Sequence, residues 1–322
     1  MPELPEVEVV RAGLAPAVTG ATVTAVTVLD ERSLRRHPGP AEDFVERLTG
    51  ATLLTPTRRG KYLWLPLAES KTADSKTKEI RPDPAASAPI SAVSAESPSF
   101  STTPSALVVH LGMSGQVLLR EPAVDDRLTR IRIDLEHPVH GPLRLNFVDQ
   151  RVFGSMAIDE LRATTDAPAQ SVPSQVFHIA RDPIDPLFDE KAFFRRLLAR
   201  KTGVKRALLD QSLISGIGNI YADEALWAAR IHYDQSTNTL SRDKAKRLLA
   251  EVRLVLAKAL GEGGTSFDTQ YLNVNGESGY FAHSLQAYGQ HGKPCPRCGR
   301  PIIRESFMNR GSHFCPFCQR LR

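Results

Sequence analysis

Cysteine is confined to one short stretch of this chain of 322 residues. All four cysteines fall between Cys295 and Cys318, so no disulfide can crosslink the long segment that precedes them. Long apolar runs are also missing: no stretch reaches the roughly eighteen residues of a membrane span, and the N-terminus lacks a basic segment followed by an apolar core. We therefore predict a cytoplasmic protein without a membrane partner, whose cysteines bind metal.

Charge is only mildly unbalanced. Lys and Arg outnumber Asp and Glu by 41 to 36, a formal net charge of +5, and the sequence pI is about 9.1. This balance is compatible with a polyanionic partner without requiring one. At 322 residues the chain is long enough for two domains, each with its own core.

The first residues offer a candidate nucleophile. If Met1 is removed, Pro2 becomes a terminal secondary amine, and a terminal amine with a pKa of about 7.7–8.0 is far more often neutral than a lysine at about 10.4. Such an amine suits Schiff-base chemistry, and the adjacent Glu3 could move protons for it. The alternative is structural, because Pro5 followed by Glu6 is also an ordinary helix start.

The first half of the chain has the pattern of a mainly antiparallel β domain. Residues 131–135 and 143–147 alternate apolar and polar side chains across a His/Pro/Gly turn, which predicts a hairpin with one apolar face. Residues 69–105 are rich in Ser, Ala, Pro and Thr and poor in aromatics, so we predict a disordered insertion there. Further β-type segments lie at residues 21–29, 61–65, 106–110 and 116–120.

The second half changes to a helical pattern. Ser241 precedes a run in which apolar residues recur at helical spacing until Gly261. A Gly-rich turn at residues 215–221 leads into another helix. Such a turn can present backbone N–H groups to a phosphate, or it can simply connect packed helices.

The cysteines form the most specific motif. Cys295, Cys298, Cys315 and Cys318 make a C-x2-C-x16-C-x2-C pattern, typical of a closed tetrahedral zinc site with no open position for catalysis. We predict one structural Zn²⁺; a redox pair is the alternative interpretation of either CxxC motif. The basic residues between the two pairs are typical of a finger that contacts nucleic acid, although zinc ribbons also bind proteins.

Together these features resemble the formamidopyrimidine-DNA glycosylase family, to which the endonuclease VIII enzymes are related. The resemblance is carried by six landmarks in order: residues 2–8 (PELPEVE), 58–62 (RRGKY), 110–115 (HLGMSG), 149–154 (DQRVFG), 216–221 (GIGNIY) and the finger. It implies an α+β chain with an N-terminal antiparallel β-sandwich and flanking helices (1–180), a helix-two-turn-helix domain (181–285) and a zinc finger (286–322).

The resemblance also implies a function and roles. The enzymes of this family flip a damaged nucleotide out of duplex DNA, release the oxidised purine and cleave the strand in base excision repair. Pro2 matches the Schiff-base nucleophile, and Glu3 matches the proton donor. Lys61 matches the residue that assists β-elimination, and Arg310 matches the residue that assists δ-elimination. The implied partner is damaged double-stranded DNA, bound by a monomer that is cytoplasmic and associated with the nucleoid when on DNA.

The implied DNA contacts fall into two groups. Met113, Arg151 and Phe153 match the residues that fill the gap left by the flipped nucleotide. Residues 265–279 resemble a loop that closes over an extruded purine. The second group matches contacts to phosphate or the lesion: Arg127, Arg200, Lys201, Lys205 and Asn219.

Two positions depart from the family pattern. Arg127 stands near the position where the family commonly has a DNA-contacting histidine, and Gln290 stands where the family often has Arg.

Two other functions stay open at this point. One is an endonuclease VIII type of enzyme for oxidised pyrimidines, against which the set Met113, Arg151 and Phe153 and the long loop argue. The other is a catalytically silent DNA-binding protein on the same fold, against which Pro2, Glu3 and Lys61 argue.

Overall fold

A computed structural model of the chain describes residues 2–68, 104–264 and 281–321. The predicted loop at 265–279 lies outside these ranges, and so does most of the predicted insertion at 69–105. At the end of that insertion Ser105 already begins a strand. Among the described residues, no helix is long and apolar enough to cross a membrane.

The helices follow the apolar spacing seen in the sequence. Helix α1 buries Val7, Val10 and Leu14 on one side, and the hydroxyl of Ser241 caps α6 by accepting a hydrogen bond from the Lys244 amide at 3.3 Å. The α-helices in the described ranges are α1 (Leu4–Val18), α2 (Ala41–Leu48), α3 (Glu190–Leu198), α4 (Val204–Leu208), α5 (Asn219–Ala229) and α6 (Arg242–Gly261).

The predicted hairpin is confirmed. Ile133 lies opposite Leu145 and Ile131 opposite Phe147, so the apolar positions of β7 and β8 share a face. The described strands are β1 (Thr22–Val28), β2 (Thr52–Leu53), β3 (Thr57–Arg59), β4 (Tyr62–Ala68), β5 (Ser105–His110), β6 (Gly115–Arg120), β7 (Thr129–His137), β8 (Gly141–Asp149), β9 (Ser155–Ala163), β10 (Ser171–Pro173), β11 (Ile303–Phe307) and β12 (Arg310–Phe314).

The first ten strands form one antiparallel sheet with two halves. Its order is β10-β9-β5-β4-β2-β1-β7-β8-β6, with β3 paired to β4. Both halves bury side chains in one hydrophobic cluster. Leu107 and Ile158 contribute from the half that contains β5 and β9, and Ile133 and Leu145 contribute from the half that contains β7 and β8. Because helices α1 and α2 pack on the same cluster, the predicted sandwich with flanking helices is confirmed.

A second hydrophobic cluster lies among α3, α4, α5 and α6. It contains Tyr221, Leu226 and Leu248, and it also contains Leu4 from the very start of α1. Val7, one helical turn later, belongs to the sandwich cluster instead. The N-terminal peptide is therefore fixed between the two cores. The domain boundaries at 180 and 285 stay a prediction.

Candidate active site and nucleic-acid interface

The N-terminal peptide is held against the Gly-rich turn that precedes α5. Pro2 and Glu3 are both buried. The Leu4 amide donates a hydrogen bond to the Gly216 carbonyl at 2.9 Å. Gly216 has φ +88, and a Cβ there would lie 2.6 Å from Leu4 Cδ1, so glycine is needed for both the backbone conformation and the close contact.

The carboxylate of Glu3 accepts hydrogen bonds from backbone N–H groups at the start of α5, which have no partner within the helix. Its oxygens accept hydrogen bonds from the amides of Gly218, Ile220 at 2.9 Å and Tyr221 at 3.4 Å. The positive end of the helix dipole favours an acidic group at this place. The Gly-rich turn, which could have bound a phosphate, thus binds a carboxylate of the chain itself.

Lys61, which is half-buried, joins Glu3 from the turn between β3 and β4. A Cβ on Gly218 would lie 2.4 Å from Glu3 Cδ and 2.7 Å from Lys61 Nζ, so both side chains crowd against that glycine. Burial raises the pKa of Glu3, while the nearby Lys61 ammonium opposes that rise. Burial lowers the pKa of Lys61, and Glu3 opposes this change. Both groups are thereby shifted toward their neutral forms.

A second carboxylate, Glu6, supports the first. Glu6 Oε2 accepts a hydrogen bond from the Glu3 amide at 2.8 Å, and Glu6 Oε1 accepts one from the Tyr221 hydroxyl at 2.6 Å. Glu6 therefore connects the backbone next to Pro2 with α5.

Lys61 and Arg310 line one cavity of about 500 Å³, together with Tyr62, His110 and Arg206. Burial lowers the pKa of His110 to about 4, so this ring is neutral at physiological pH and its Nδ1 accepts a hydrogen bond from the Gly112 amide at 3.2 Å. The guanidinium groups of Arg206 and Arg310 beside this open cavity suit a phosphate group.

The finger segment beside Arg310 is tied to α4 and α5. The Gly311 carbonyl accepts hydrogen bonds from Lys205 Nζ at 3.2 Å and from Asn219 Nδ2 at 3.1 Å. Lys205 is fully buried and forms an ion pair with Asp223 at 2.6 Å. The predicted DNA contact of Lys205 therefore needs correction: in this structure the side chain has no exposed surface and holds the finger.

The structure brings Met113, Arg151 and Phe153 together on two adjacent loops. Met113 is 42% and Phe153 46% exposed. The loops touch at Gly112, where a Cβ would lie 2.3 Å from the Phe153 carbonyl carbon. Two large apolar side chains exposed on one braced edge are free to contact a partner.

A buried carboxylate braces these loops. Asp149 is fully buried, and it accepts hydrogen bonds from Ser114 Oγ at 2.5 Å, the Arg151 amide at 3.1 Å and the Gly154 amide at 2.6 Å. The backbone that carries the exposed side chains is thus fixed from below.

The other predicted DNA contacts lie apart from this group. Arg127 and Lys201 are exposed. Arg200 is partly exposed and pairs with Asp210 at 2.5 Å. Their roles stay predictions.

The four cysteines converge. Their sulfur atoms all lie within 4.8 Å of one another, and Cys298 Sγ and Cys315 Sγ are 3.5 Å apart. A tetrahedral Zn²⁺ with bonds of about 2.3 Å requires sulfur separations of about 3.8 Å. Trp227 Nε1 donates a hydrogen bond to Cys295 Sγ at 3.4 Å, which favours the thiolate form. The donor set fits one structural zinc ion and leaves no open position.

The sequence matches three family descriptions in the same order as the structural parts. Residues 1–156 match the formamidopyrimidine-DNA glycosylase N-terminal domain, residues 179–270 the H2TH domain of that enzyme, and residues 292–321 the zinc finger found in FPG and IleRS. The chain belongs to the formamidopyrimidine-DNA glycosylase family.

Individual relatives agree over the full length. The chain is 57% identical to a formamidopyrimidine-DNA glycosylase of Leifsonia xyli, with 100% of both chains covered. Two crystal structures of Lactococcus lactis Fpg match at 28% identity: a complex with abasic-site DNA (TM-score 0.74, 99% of each chain), and a complex with N7-benzyl-Fapy-dG DNA (TM-score 0.75, 99% of this chain and 100% of that chain).

Several residues of the site carried no sequence signal of their own. Asp149 and Gly218 lie inside the recognised landmarks, but the contacts that make them necessary come from distant parts of the chain. Glu6 looked like an ordinary first-turn acid. Asp223 and Glu224 were not singled out from the sequence, and both are buried. Two adjacent acids in a helix that is otherwise apolar were the available hint.

Proposed function

We propose that this chain is a bifunctional DNA glycosylase and abasic-site lyase. Its substrates are oxidised purines, 8-oxoguanine and formamidopyrimidines, in duplex DNA, and it acts in base excision repair. The single observation that supports this best is that buried Glu3 and half-buried Lys61 crowd against the same glycine, Gly218, at the start of α5, with Glu3 directly after Pro2. An acid with a raised pKa next to an amine with a lowered pKa is the arrangement that acid–base catalysis requires.

The first step is base release. After Met1 is removed, the Pro2 nitrogen has a lone pair, and it attacks C1′ of the flipped nucleotide while the bond from C1′ to the base breaks. Glu3, whose pKa is raised by burial, gives a proton to the departing base. Its carboxylate then takes the N–H proton of the Pro2 adduct and passes it to the sugar-ring oxygen as the bond from that oxygen to C1′ breaks. Ring opening leaves an iminium ion between Pro2 and C1′. While Met1 is attached, the same nitrogen is an amide and cannot react.

The second step is strand cleavage. The iminium ion acidifies the C2′ proton, and loss of that proton expels the 3′ phosphate in β-elimination. Removal of the C4′ proton then expels the 5′ phosphate in δ-elimination. Lys61, whose lowered pKa gives it a larger neutral fraction, assists the first elimination. Arg310 faces the same cavity and holds the phosphate expelled in the second.

The exposed edge formed by Met113, Arg151 and Phe153 recognises the DNA around the flipped nucleotide. Met113 and Phe153 fill the gap left by the flipped nucleotide, and the Arg151 guanidinium donates hydrogen bonds to the orphaned base. Arg127, Arg200, Lys201 and Asn219 hold phosphates or the lesion and set register. The relative from Lactococcus lactis binds DNA that carries a formamidopyrimidine lesion, which supports a purine substrate here.

The remaining assignments complete this proposal. The enzyme acts as a monomer in the cytoplasm and lies on the nucleoid when bound to DNA. Its units are the catalytic sandwich (1–180), the helix-two-turn-helix domain (181–285) and the zinc finger (286–322).

Borohydride reduction tests the proposed reaction. With a duplex that carries 8-oxoguanine opposite cytosine, the processed enzyme is expected to form a covalent adduct, which Pro2→Gly reduces sharply and retention of Met1 abolishes. Absence of an adduct with a fully processed N-terminus would overturn the proposal. A parallel duplex with thymine glycol ranks the substrates: faster trapping there would indicate an endonuclease VIII type of specificity.

A further inference from the structure

We propose that Asp223 is a positioning residue for strand cleavage, which fixes Arg310 relative to the iminium ion at Pro2. This inference rests on the proposed function and adds a residue to it. Asp223 lies on α5, is 1% exposed, and contacts neither the cavity beside Lys61 nor the N-terminal peptide.

Asp223 binds three residues from two other parts of the chain. Its Oδ1 pairs with Lys205 Nζ at 2.6 Å and accepts a hydrogen bond from Ser312 Oγ at 3.2 Å. Its Oδ2 accepts one from the His313 amide at 2.8 Å and lies 3.3 Å from His313 Nδ1. One buried carboxylate thus joins α4, α5 and β12.

These contacts fall on the residues that directly follow Arg310. Gly311 is held through its carbonyl by Lys205 and Asn219, and Ser312 and His313 are held by Asp223. Arg310 itself is exposed, and no ion pair of its guanidinium is found among the described residues. Its backbone is therefore held by its pairing with Phe307 across the β11–β12 hairpin and by the three residues after it.

The same helix also holds the reaction centre. The amides of Ile220 and Tyr221 bind Glu3, and Asp223 follows within the same helical turn. Because a helix is rigid over one turn, α5 fixes the distance from the Glu3 end of the site to the finger. Loss of Asp223 would release Ser312 and His313 of the finger, while Glu3 would keep its hydrogen bonds to the amides of α5.

The ratio of δ- to β-elimination products distinguishes this role from a general effect on folding. Wild type and Asp223→Asn are compared on a preformed abasic site opposite cytosine. The products of β- and δ-elimination are resolved on a gel, and borohydride trapping is measured in parallel. We expect the ratio of δ to β product to fall about tenfold in Asp223→Asn, since small misplacements of a catalytic group cost this much or more. Trapping is expected to stay within about twofold.

Two further variants calibrate the result. Glu305→Gln is the matched control, because Glu305 accepts a hydrogen bond from the Tyr233 hydroxyl at 2.6 Å at the exposed side of the same finger hairpin; it should leave the ratio unchanged. Asp223→Glu keeps the charge and should recover part of the ratio. Zinc content and circular dichroism show whether each variant is folded.

The outcomes are distinct. An unchanged ratio in Asp223→Asn, or an equal loss of trapping and of both products, overturns the inference. If Asp223→Asn loses its zinc, Ser312→Ala decides, since it removes one contact and keeps the buried ion pair: a lower ratio supports the role, and an unchanged ratio overturns it. If wild type itself forms no trapped adduct, the proposed function has failed, not this inference alone.

Discussion

The two ends of the site are built in opposite ways. At the reaction end, Pro2 and Glu3 are buried and Lys61 is crowded against Gly218, and the carboxylate is held by backbone amides of α5 from the other half of the chain. At the wedge end, formed by Met113, Arg151 and Phe153, the side chains are exposed, and only the backbone beneath them is fixed.

The difference follows from the role that we propose for each end. Proton transfer needs shifted pKa values, and burial produces them for Glu3 and Lys61. Stacking against DNA bases needs apolar surface that is free before DNA binds, and Asp149 supplies the rigid base for it. We therefore expect changes at the reaction end to affect chemistry, and changes at the wedge end to affect recognition.

The largest effect is expected from Gly218→Ala. The new Cβ would lie 2.4 Å from Glu3 Cδ and 2.7 Å from Lys61 Nζ, so both groups must move. We expect single-turnover base release to fall about 100-fold, since misplacement by about 1 Å can cost this much. Gly261→Ala is the control, because a Cβ there meets nothing within 4 Å. Equal rates for the two variants would contradict the importance of this contact.

The second test is the pH dependence of base release. Only protonated Glu3 can donate, and burial raises its pKa. Because the reaction also needs the neutral Pro2 amine, base release should fall, by about tenfold per pH unit, only where pH lies above both this raised pKa and the pKa of the Pro2 amine. Glu3→Gln should be slow and should lack this decline. A decline of the same slope in Glu3→Gln would assign it to another group.

The third test removes the wedge aromatic. Phe153→Ala should slow excision from an 8-oxoguanine duplex about tenfold, because stacking on an aromatic side chain contributes about 1–3 kcal/mol per base. Phe177→Ala is the matched control, since Phe177 is 45% exposed and lies outside the two loops. If both variants slow excision equally, general destabilisation is the explanation and the wedge role is wrong.

The smallest effect on base release is expected at the edge of the cavity, because Arg310 acts in phosphate binding and strand cleavage. Arg310→Ala should weaken binding to damaged and undamaged DNA alike and reduce the salt slope by about one, as for loss of one phosphate contact. Fluorescence anisotropy at several salt concentrations measures this. A change in selectivity for damaged bases with the same salt slope would show that Arg310 does not bind phosphate.

The sequence was sufficient for features that are local. The alternation in β7 and β8, the cap at Ser241 and the spacing of the four cysteines each depend on neighbours within a few residues, and each was predicted. The family landmarks also singled out Met113, Arg151 and Phe153, whose role in filling the gap left by the flipped nucleotide stays a prediction.

Features that depend on distant contacts could not be predicted in this way. That Glu3 binds the start of α5 depends on residues more than 200 positions away. Lys205 was predicted to contact DNA, because the sequence does not show its burial against Asp223 and Gly311. That burial arises only when the finger packs on α5. Asp149 and Glu6 each bind a backbone amide and a hydroxyl group, and the hydroxyl partners, Ser114 and Tyr221, lie 35 and 215 positions away.

The separation of the two ends is tested most directly by trapping on a single-stranded abasic oligonucleotide, which has no opposite base and no stack to fill. Borohydride adduct formation is measured for wild type, Phe153→Ala and Gly218→Ala on this strand and on an 8-oxoguanine duplex. We predict that Phe153→Ala matches wild type on the single strand and is slow only on the duplex, while Gly218→Ala is slow on both. Equal losses for Phe153→Ala on the two substrates would contradict the division into a reaction end and a wedge end.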